Sequence, residues 1–137
     1  MSGLVLVTLP IGNNGDLTFR AKEALEKYNY IVAEDTRVLK EFLKFNGINF
    51  ETKKIESFHD HADNAKLDKI ISVIEKQWVV FVSDAGSPVI SDPAFPLIKE
   101  VLDKGYKLET MPGVSAVTTA LELSGHWPKW NTYHLPN

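Results

Sequence analysis

The chain has 137 residues, 44% of them hydrophobic and 24% charged, which suits one domain with a sizeable core rather than two. It has no cysteine, so neither a disulfide frame nor a thiolate metal site is available. A formal net charge of −3 gives no broad basic footprint for a nucleic acid, no apolar run approaches the roughly 20 residues of a bilayer crossing, and the amino terminus lacks the pattern of a secretion signal, so a cytoplasmic protein without a membrane partner is expected.

In chain order, short β-type runs alternate with helical ones. Leu4-Val5-Leu6-Val7 reads as a strand, followed by a Gly/Asn loop and a helix over 18–27. Tyr30-Ile31-Val32-Ala33 is a second strand. It leads into Val38-Leu39-Lys40-Glu41-Phe42-Leu43, whose apolar spacing is helical and which Asn46-Gly47 can end. Lys54-Ile55-Glu56-Ser57-Phe58 is a shorter, weaker strand. Asp63 is placed to cap a helix in which Leu67, Ile70, Ile71 and Ile74 share a face at i, i+3, i+4, i+7. The unbroken apolar run 78–82 is the clearest buried strand. After it, Asp92-Pro93 has the form of an N-cap and a first helical residue, an amphipathic stretch follows over 94–102, and Gly105 reads as its stop. A last strand is expected over 107–111 and a last helix over 115–124, closed by Gly125.

Repeated strand-then-helix units imply an α/β fold, a mostly parallel sheet with right-handed crossovers and helices on its faces. No repeat, low-complexity tract or interdomain linker interrupts the pattern. The segment Trp127-Pro128-Lys129-Trp130-Asn131-Thr132-Tyr133-His134-Leu135-Pro136 follows neither period. Its large rings are costly to leave in water, so it either wraps back on the domain or leads into something larger.

Three strands end in loops of small residues and prolines. They are Thr8-Leu9-Pro10-Ile11-Gly12-Asn13-Asn14-Gly15-Asp16, Ser83-Asp84-Ala85-Gly86-Ser87-Pro88-Val89-Ile90-Ser91-Asp92-Pro93 and Met111-Pro112-Gly113-Val114-Ser115-Ala116. In a parallel sheet all three lie at the carboxyl edge, where strand ends and helix starts leave backbone N–H groups free to meet a ligand. A shared small-molecule pocket is therefore expected there. No Gly-x-Gly-x-x-Gly follows the first strand and no Gly-x-x-x-x-Gly-Lys-[Ser/Thr] occurs, which argues against a hydride-transfer enzyme and a P-loop kinase. Ser83 lacks the Gly-x-Ser-x-Gly setting of a nucleophile, and hydrogen bonding within its own loop is its expected role.

Four segments, Thr8-Leu9-Pro10-Ile11-Gly12-Asn13, Ala33-Glu34-Asp35-Thr36-Arg37, Ser83-Asp84-Ala85-Gly86-Ser87-Pro88-Val89-Ile90-Ser91-Asp92-Pro93 and Pro112-Gly113-Val114-Ser115-Ala116, resemble in order and spacing the tetrapyrrole methylase superfamily. Within it they are most similar to the branch that uses S-adenosylmethionine to methylate a cytidine 2′-hydroxyl of small-subunit ribosomal RNA. The resemblance runs through the whole chain but matches only the amino-terminal half of the family's usual protein. It implies a five-stranded parallel-sheet domain over residues 1–126 and an aromatic tail over 127–137 near the crossover to a second α/β domain, which is expected to fall outside these 137 residues. S-adenosylmethionine would lie in the cleft between the two. Carried over motif by motif, its neighbours are Pro10 and Ile11, then Gly86, Ser87, Pro88 and Ile90, then Ser115 and Ala116. Gly86 and Gly113 suit close backbone approach, and the prolines fix loop shape.

The resemblance also implies small-subunit ribosomal RNA or a pre-assembled subunit as partner, a homodimer, and no metal. Methyl transfer to a hydroxyl needs an in-line arrangement and a proton acceptor, for which Asp35, Asp84 and His59 are available. Two readings of Glu34-Asp35-Thr36-Arg37 stand side by side. Asp35 and Arg37 are catalytic residues at the pocket mouth with Arg37 on a substrate phosphate, or Asp35 caps the helix and Glu34 or Asp35 pairs with Arg37. His59-Asp60-His61 places two imidazoles on one side of an extended segment, but two ligands do not make a metal site. Solvated polar residues are the plainer reading, with a substrate-facing role for His59 implied by the branch. Trp127 and Trp130 either stack on bases or pack. Two alternatives remain: methylation of a corrin or porphyrin carbon, and a non-catalytic binding module that kept the fold.

Overall fold

In the computed structural model, which describes residues 2–58, 64–88 and 94–125, the apolar runs become five strands of one sheet. They are β1 (Gly3–Val7), β2 (Tyr30–Ala33), β3 (Lys54–Ser57), β4 (Trp78–Val82) and β5 (Leu108–Met111), in the order β3-β2-β4-β1-β5. Every pairing is parallel. Val80 of the central strand lies opposite Val5 on one side and Ile31 on the other, while Ile31 faces Ile55 and Val5 faces Glu109. A parallel strand must be re-entered from its far end, so a helix follows each strand: α1 (Phe19–Lys27), α2 (Thr36–Phe45), α3 (Asn64–Ile74), α4 (Phe95–Asp103) and α5 (Ala116–Ser124).

Helices on both faces explain why the inner strands read as continuous apolar runs rather than alternating ones. On one face Leu4, Leu6, Val32, Val79 and Phe81 pack with Ile70, Ile71 and Ile74 of α3 and Leu97 and Val101 of α4. On the other, Val5, Val7, Ile31, Val80 and Val82 meet Ala21, Ala24 and Leu25 of α1 and Leu39 and Leu43 of α2. Successive residues of a strand thus serve opposite halves of the core. α5 stands apart. None of its residues is buried, and Val117, Leu121 and Leu123 are exposed.

Helix starts differ from the sequence expectations by a residue or two, for local reasons. Thr18 and Ser115 lie just outside α1 and α5 as N-caps, accepting from the N–H of Ala21 at 3.1 Å and of Thr118 at 3.4 Å. α2 is longer at both ends than its apolar stripe, because Asp35 caps it and Asn46 ends it before Gly47 at φ 69°. α4 starts at Phe95 after Ala94, with a proline, Pro96, in its first turn. The expected caps Asp63 and Asp92, with Pro93, lie outside the described residues, as do the rings of the 127–137 segment. Phe58 falls just past β3, but its N–H still donates to Ala33 O at 2.8 Å and its ring packs edge-on against Phe81. Among the described residues no helix is long and apolar enough to cross a membrane.

The β3 edge is secured by charge. Glu56 is 8% exposed and accepts from Lys66 at 2.9 Å and Lys69 at 2.6 Å, both on α3, with Lys54 at 3.8 Å. The Lys69 hydrogen bond, with help from Lys66, outweighs desolvation and holds the Glu56 carboxyl at about 2 instead of 4.5. The nearby Tyr30 hydroxyl is pushed up to about 12 by burial and then by the Glu56 charge. A lowered carboxyl pKa stabilises the fold above the unfolded value and loses that contribution as pH falls through the folded one. Glu56→Gln is therefore expected to reduce unfolding free energy at neutral pH by about 1–2 kcal/mol, less than the full shift because the lysines are partly solvated. Urea titrations at neutral pH and at about pH 2.5 test this. The gap between wild type and variant should narrow in acid; an unchanged gap would show that the ion pairs do not carry it.

Candidate functional site

The carboxyl ends of β1, β4 and β5 bring three loops to one edge, and main-chain bonds lock them together. Thr8 N–H donates to Met111 O at 3.3 Å, tying the first loop to the end of β5. At the next residue Leu9 and Gly86 exchange both backbone groups, N to O at 3.0 Å each way, in an isolated antiparallel bridge. The fourth-strand loop therefore doubles back beside the first. Gly86 permits this with φ 72°, a region that strains other residues, and a methyl group there would stand 3.3 Å from Ile11 Cγ2. Gly113 lets the fifth-strand loop approach the first, since a methyl there would lie 3.1 Å from Thr8 Cγ2.

Of the residues expected to line a pocket, Pro10 and Ile11 are half-buried in the first loop, and Gly86 and Pro88 are buried with Ser87 half-buried in the second. The Ser115 hydroxyl caps α5 and Ala116 is the exposed first residue of that helix. Ile90 and His59 fall outside the described residues. Ser83 is 2% exposed and its hydroxyl donates to Ala85 O at 2.8 Å and Gly86 O at 3.3 Å, so it shapes its own loop.

Asp35 and Arg37 sit where β2 passes into α2. Asp35 Oδ1 accepts from Arg37 N–H at 2.9 Å, and the guanidinium spans the same carboxylate with Nε on Oδ1 and Nη2 on Oδ2, both at 3.4 Å. These contacts, the backbone N–H first and the Arg37 side chain next, hold the Asp35 carboxyl below its ordinary range. Capping and pairing are thus both present. The Arg37 side chain remains 89% exposed. Asp84 Oδ1 accepts from the Asp35 N–H at 3.3 Å, which joins the fourth-strand loop to the start of α2.

Sequence reasoning did not find the short 3-10 helix over Asn14–Asp16 or the reciprocal amide pair between Asn14 and Asn46, at 2.9 and 3.0 Å. The only signal for them was the clustering of asparagine at Asn13-Asn14 and Asn46-Gly47. Two surface hollows, of about 480 and 460 Å³, lie elsewhere, along α1 from Phe19 to Lys27 and beside Lys44 to Glu51. They lack the converging loop backbone of the strand-end cluster.

The chain matches the family model for tetrapyrrole (corrin/porphyrin) methylases over residues 3–131. It is 45% identical over 121 residues to ribosomal RNA small subunit methyltransferase I of Mycoplasmopsis pulmonis, covering 88% of this chain and 53% of that protein. The protein of the same name from Rickettsia prowazekii is 41% identical over 124 residues, with 90% and 43% covered. Among solved structures, uroporphyrin-III-C-methyltransferase from Thermus thermophilus shares the fold at TM-score 0.65 and 19% identity, covering 91% of this chain and 52% of that one. The chain spans about half the length of the curated relatives it matches.

Two of the left-handed glycines, Gly47 and Gly86, offer a test of how tightly the loops are packed. Gly47 has φ 69° and an added Cβ there would meet nothing within 4 Å, whereas at Gly86, φ 72°, it would stand 3.3 Å from Ile11. Gly47→Ala is expected to show conformational strain alone, about 1–2 kcal/mol, and Gly86→Ala that strain plus displacement of Ile11. Calorimetry should find the lower melting temperature in Gly86→Ala; equal losses would mean that Ile11 gives way freely.

Proposed function

The chain belongs to the tetrapyrrole (corrin/porphyrin) methylase family, and from that premise we propose that it is the amino-terminal part, over residues 1–126, of an S-adenosylmethionine-dependent methyltransferase acting on a cytidine 2′-hydroxyl of small-subunit ribosomal RNA. The segment 127–137 is read as the start of the crossover to a second domain. The observation that carries the reading is the loop cluster at the carboxyl edge, where Thr8 meets Met111 and Leu9 exchanges both backbone groups with Gly86. The names of the relatives at 45% and 41% identity favour ribosomal RNA over a macrocycle, since the uroporphyrin enzyme is alike in fold only.

The residues present fit such a group. Pro10, Ile11 and Pro88 offer an apolar lining, and Gly86 and Gly113 keep the backbone within reach where a side chain would fill the gap. When bound, S-adenosylmethionine supplies an electrophilic methyl carbon on a sulfonium. The part of this chain is to orient. Pro10, Ile11, Gly86, Ser87, Pro88, Ser115 and Ala116 form one wall in this reading, with Ile90 assigned to the cofactor by its motif alone, and holding the reactants in line is worth up to ~7–11 kcal/mol of barrier. Arg37 meets a substrate phosphate, with Asp35 fixing the plane of its guanidinium. Because Asp35 is engaged through both oxygens while Asp84 uses Oδ1 on a backbone N–H, Asp84 is the better placed proton acceptor of the two. His59 is assigned a substrate-facing role by its likeness to the ribosomal RNA branch alone. A cytoplasmic homodimer completes the proposal.

Calorimetric titration of the chain with S-adenosylmethionine tests the site, and Ser87→Trp tests its location. Saturable heat that Ser87→Trp reduces at least about tenfold in affinity is expected. Heat indifferent to Ser87→Trp would move the site away from this loop. Methyl transfer to the ribose of small-subunit particles supports the substrate, whereas transfer to a porphyrin or corrin carbon overturns it.

A further inference from the structure

Helix α2 is fastened at both ends to the loops of the carboxyl edge. At its start, the Asp35 N–H donates to Asp84 Oδ1 at 3.3 Å. At its end, Asn46 Nδ2 donates to Asn14 Oδ1 at 3.0 Å and Asn14 Nδ2 donates to Asn46 Oδ1 at 2.9 Å, a two-way amide pair between residues 32 positions apart. We propose that Asn14 and Asn46 are positioning residues, whose amide pair fixes the first loop against α2 and so sets how Pro10 and Ile11 face the cleft. The link to cofactor binding rests on the function proposed above.

The pair is held in one orientation from both sides. Asn46 Nδ2 also donates to Phe42 O at 2.9 Å, so both of its protons are engaged. A flipped amide would turn its oxygen onto that carbonyl. Asn14 lies in the short 3-10 helix, where Asn13 Oδ1 accepts from Gly15 N–H at 2.9 Å and Asn14 O accepts from Leu17 N–H at 3.2 Å. Its backbone is therefore placed before its side chain reaches across.

A closed circuit results. It runs from α2 through Asn46 and Asn14 to the first loop, across the Leu9 and Gly86 bridge to the fourth-strand loop, and from Asp84 back to Asp35. Two of the three loops assigned to the cofactor, the first and the fourth-strand loop, lie on this ring, and Arg37 follows Asp35 on it by two residues. A shift of α2 when Arg37 meets an anion must then move the first loop or break the amide pair. Exposed hydrogen bonds of this kind add little net stability, so position rather than global stability is the property at stake.

The test compares wild type with Asn14→Ala, Asn46→Ala, the double variant and Asn14→Asp. Each alanine variant is expected to weaken S-adenosylmethionine binding about tenfold, and the double no further, because one interaction is removed either way. Asn14→Asp keeps an acceptor for Asn46 Nδ2 and should recover part of the loss. Melting temperatures should stay close together. Unchanged affinity in the single variants, or losses that add in the double, would overturn the proposal. Amide hydrogen exchange over residues 11–16 gives a readout independent of the cofactor: Asn46→Ala should lose protection there while β1 and β4 keep theirs. If wild type binds no S-adenosylmethionine, the cofactor reading fails, and exchange alone decides the clasp. Faster exchange over 11–16 upholds it, and unchanged exchange overturns it.

Discussion

Parallel pairing of β4 with β1 on one side and β2 on the other is the constraint from which the remaining structure follows. Because Val80 lies opposite both Val5 and Ile31, the three inner strands share a direction and are covered on both faces. A common direction forces a helical return after each strand and gathers every strand-to-helix loop at one edge. The loop cluster is thus a consequence of sheet topology. What the loops themselves add is the Thr8 contact with Met111 and the Leu9 exchange with Gly86, which convert proximity into fixed geometry.

The two outer strands are treated differently. β3 carries Glu56, whose lysine partners on α3 close the edge with charge, and Lys53 reinforces that side by donating to Glu26 O and Tyr28 O at the end of α1. Cations at a helix carboxyl terminus complement its dipole, so this contact joins the β3 side to α1 as well. Among the described residues β5 has no comparable device. Glu109 and Thr110 are exposed on it, and α5 beyond it leaves Val117, Leu121 and Leu123 in solvent. These exposed side chains make α5 the least buried of the α-helices among the described residues.

Much of this was readable from the residues, because the signals involved are local. Tyr30-Ile31-Val32-Ala33 and the run 78–82 are strands with the predicted ends, and Gly47, Gly105 and Gly125 stop their helices with positive φ. Errors arose where a residue outside the periodic stripe decides the boundary, as with Thr18 and Ser115, which cap rather than begin their helices. The Glu34-Asp35-Thr36-Arg37 segment left two roles open, and the geometry contains cap and ion pair together with an exposed guanidinium. The Leu9 and Gly86 bridge and the Asn14 and Asn46 pair were not legible. Each joins segments far apart in sequence, and neither leaves a periodic trace. Only a known register could have revealed them.

Strand order has a consequence for how the molecule comes into being. As the chain leaves the ribosome, β2 and β3 can pair at once, since they are neighbours in both sequence and sheet. β1, the earliest of these five strands in sequence, must wait. Its partners are β4 and β5, so its apolar residues Leu4 to Val7 stay unpaired until most of the domain has been synthesised. Insertion of β4 between two strands already present is then the step that closes the sheet, a non-local event of the kind that slows folding. The same step draws Gly86 beside Leu9, and the Thr8 contact with Met111 can follow only once β5 has been made.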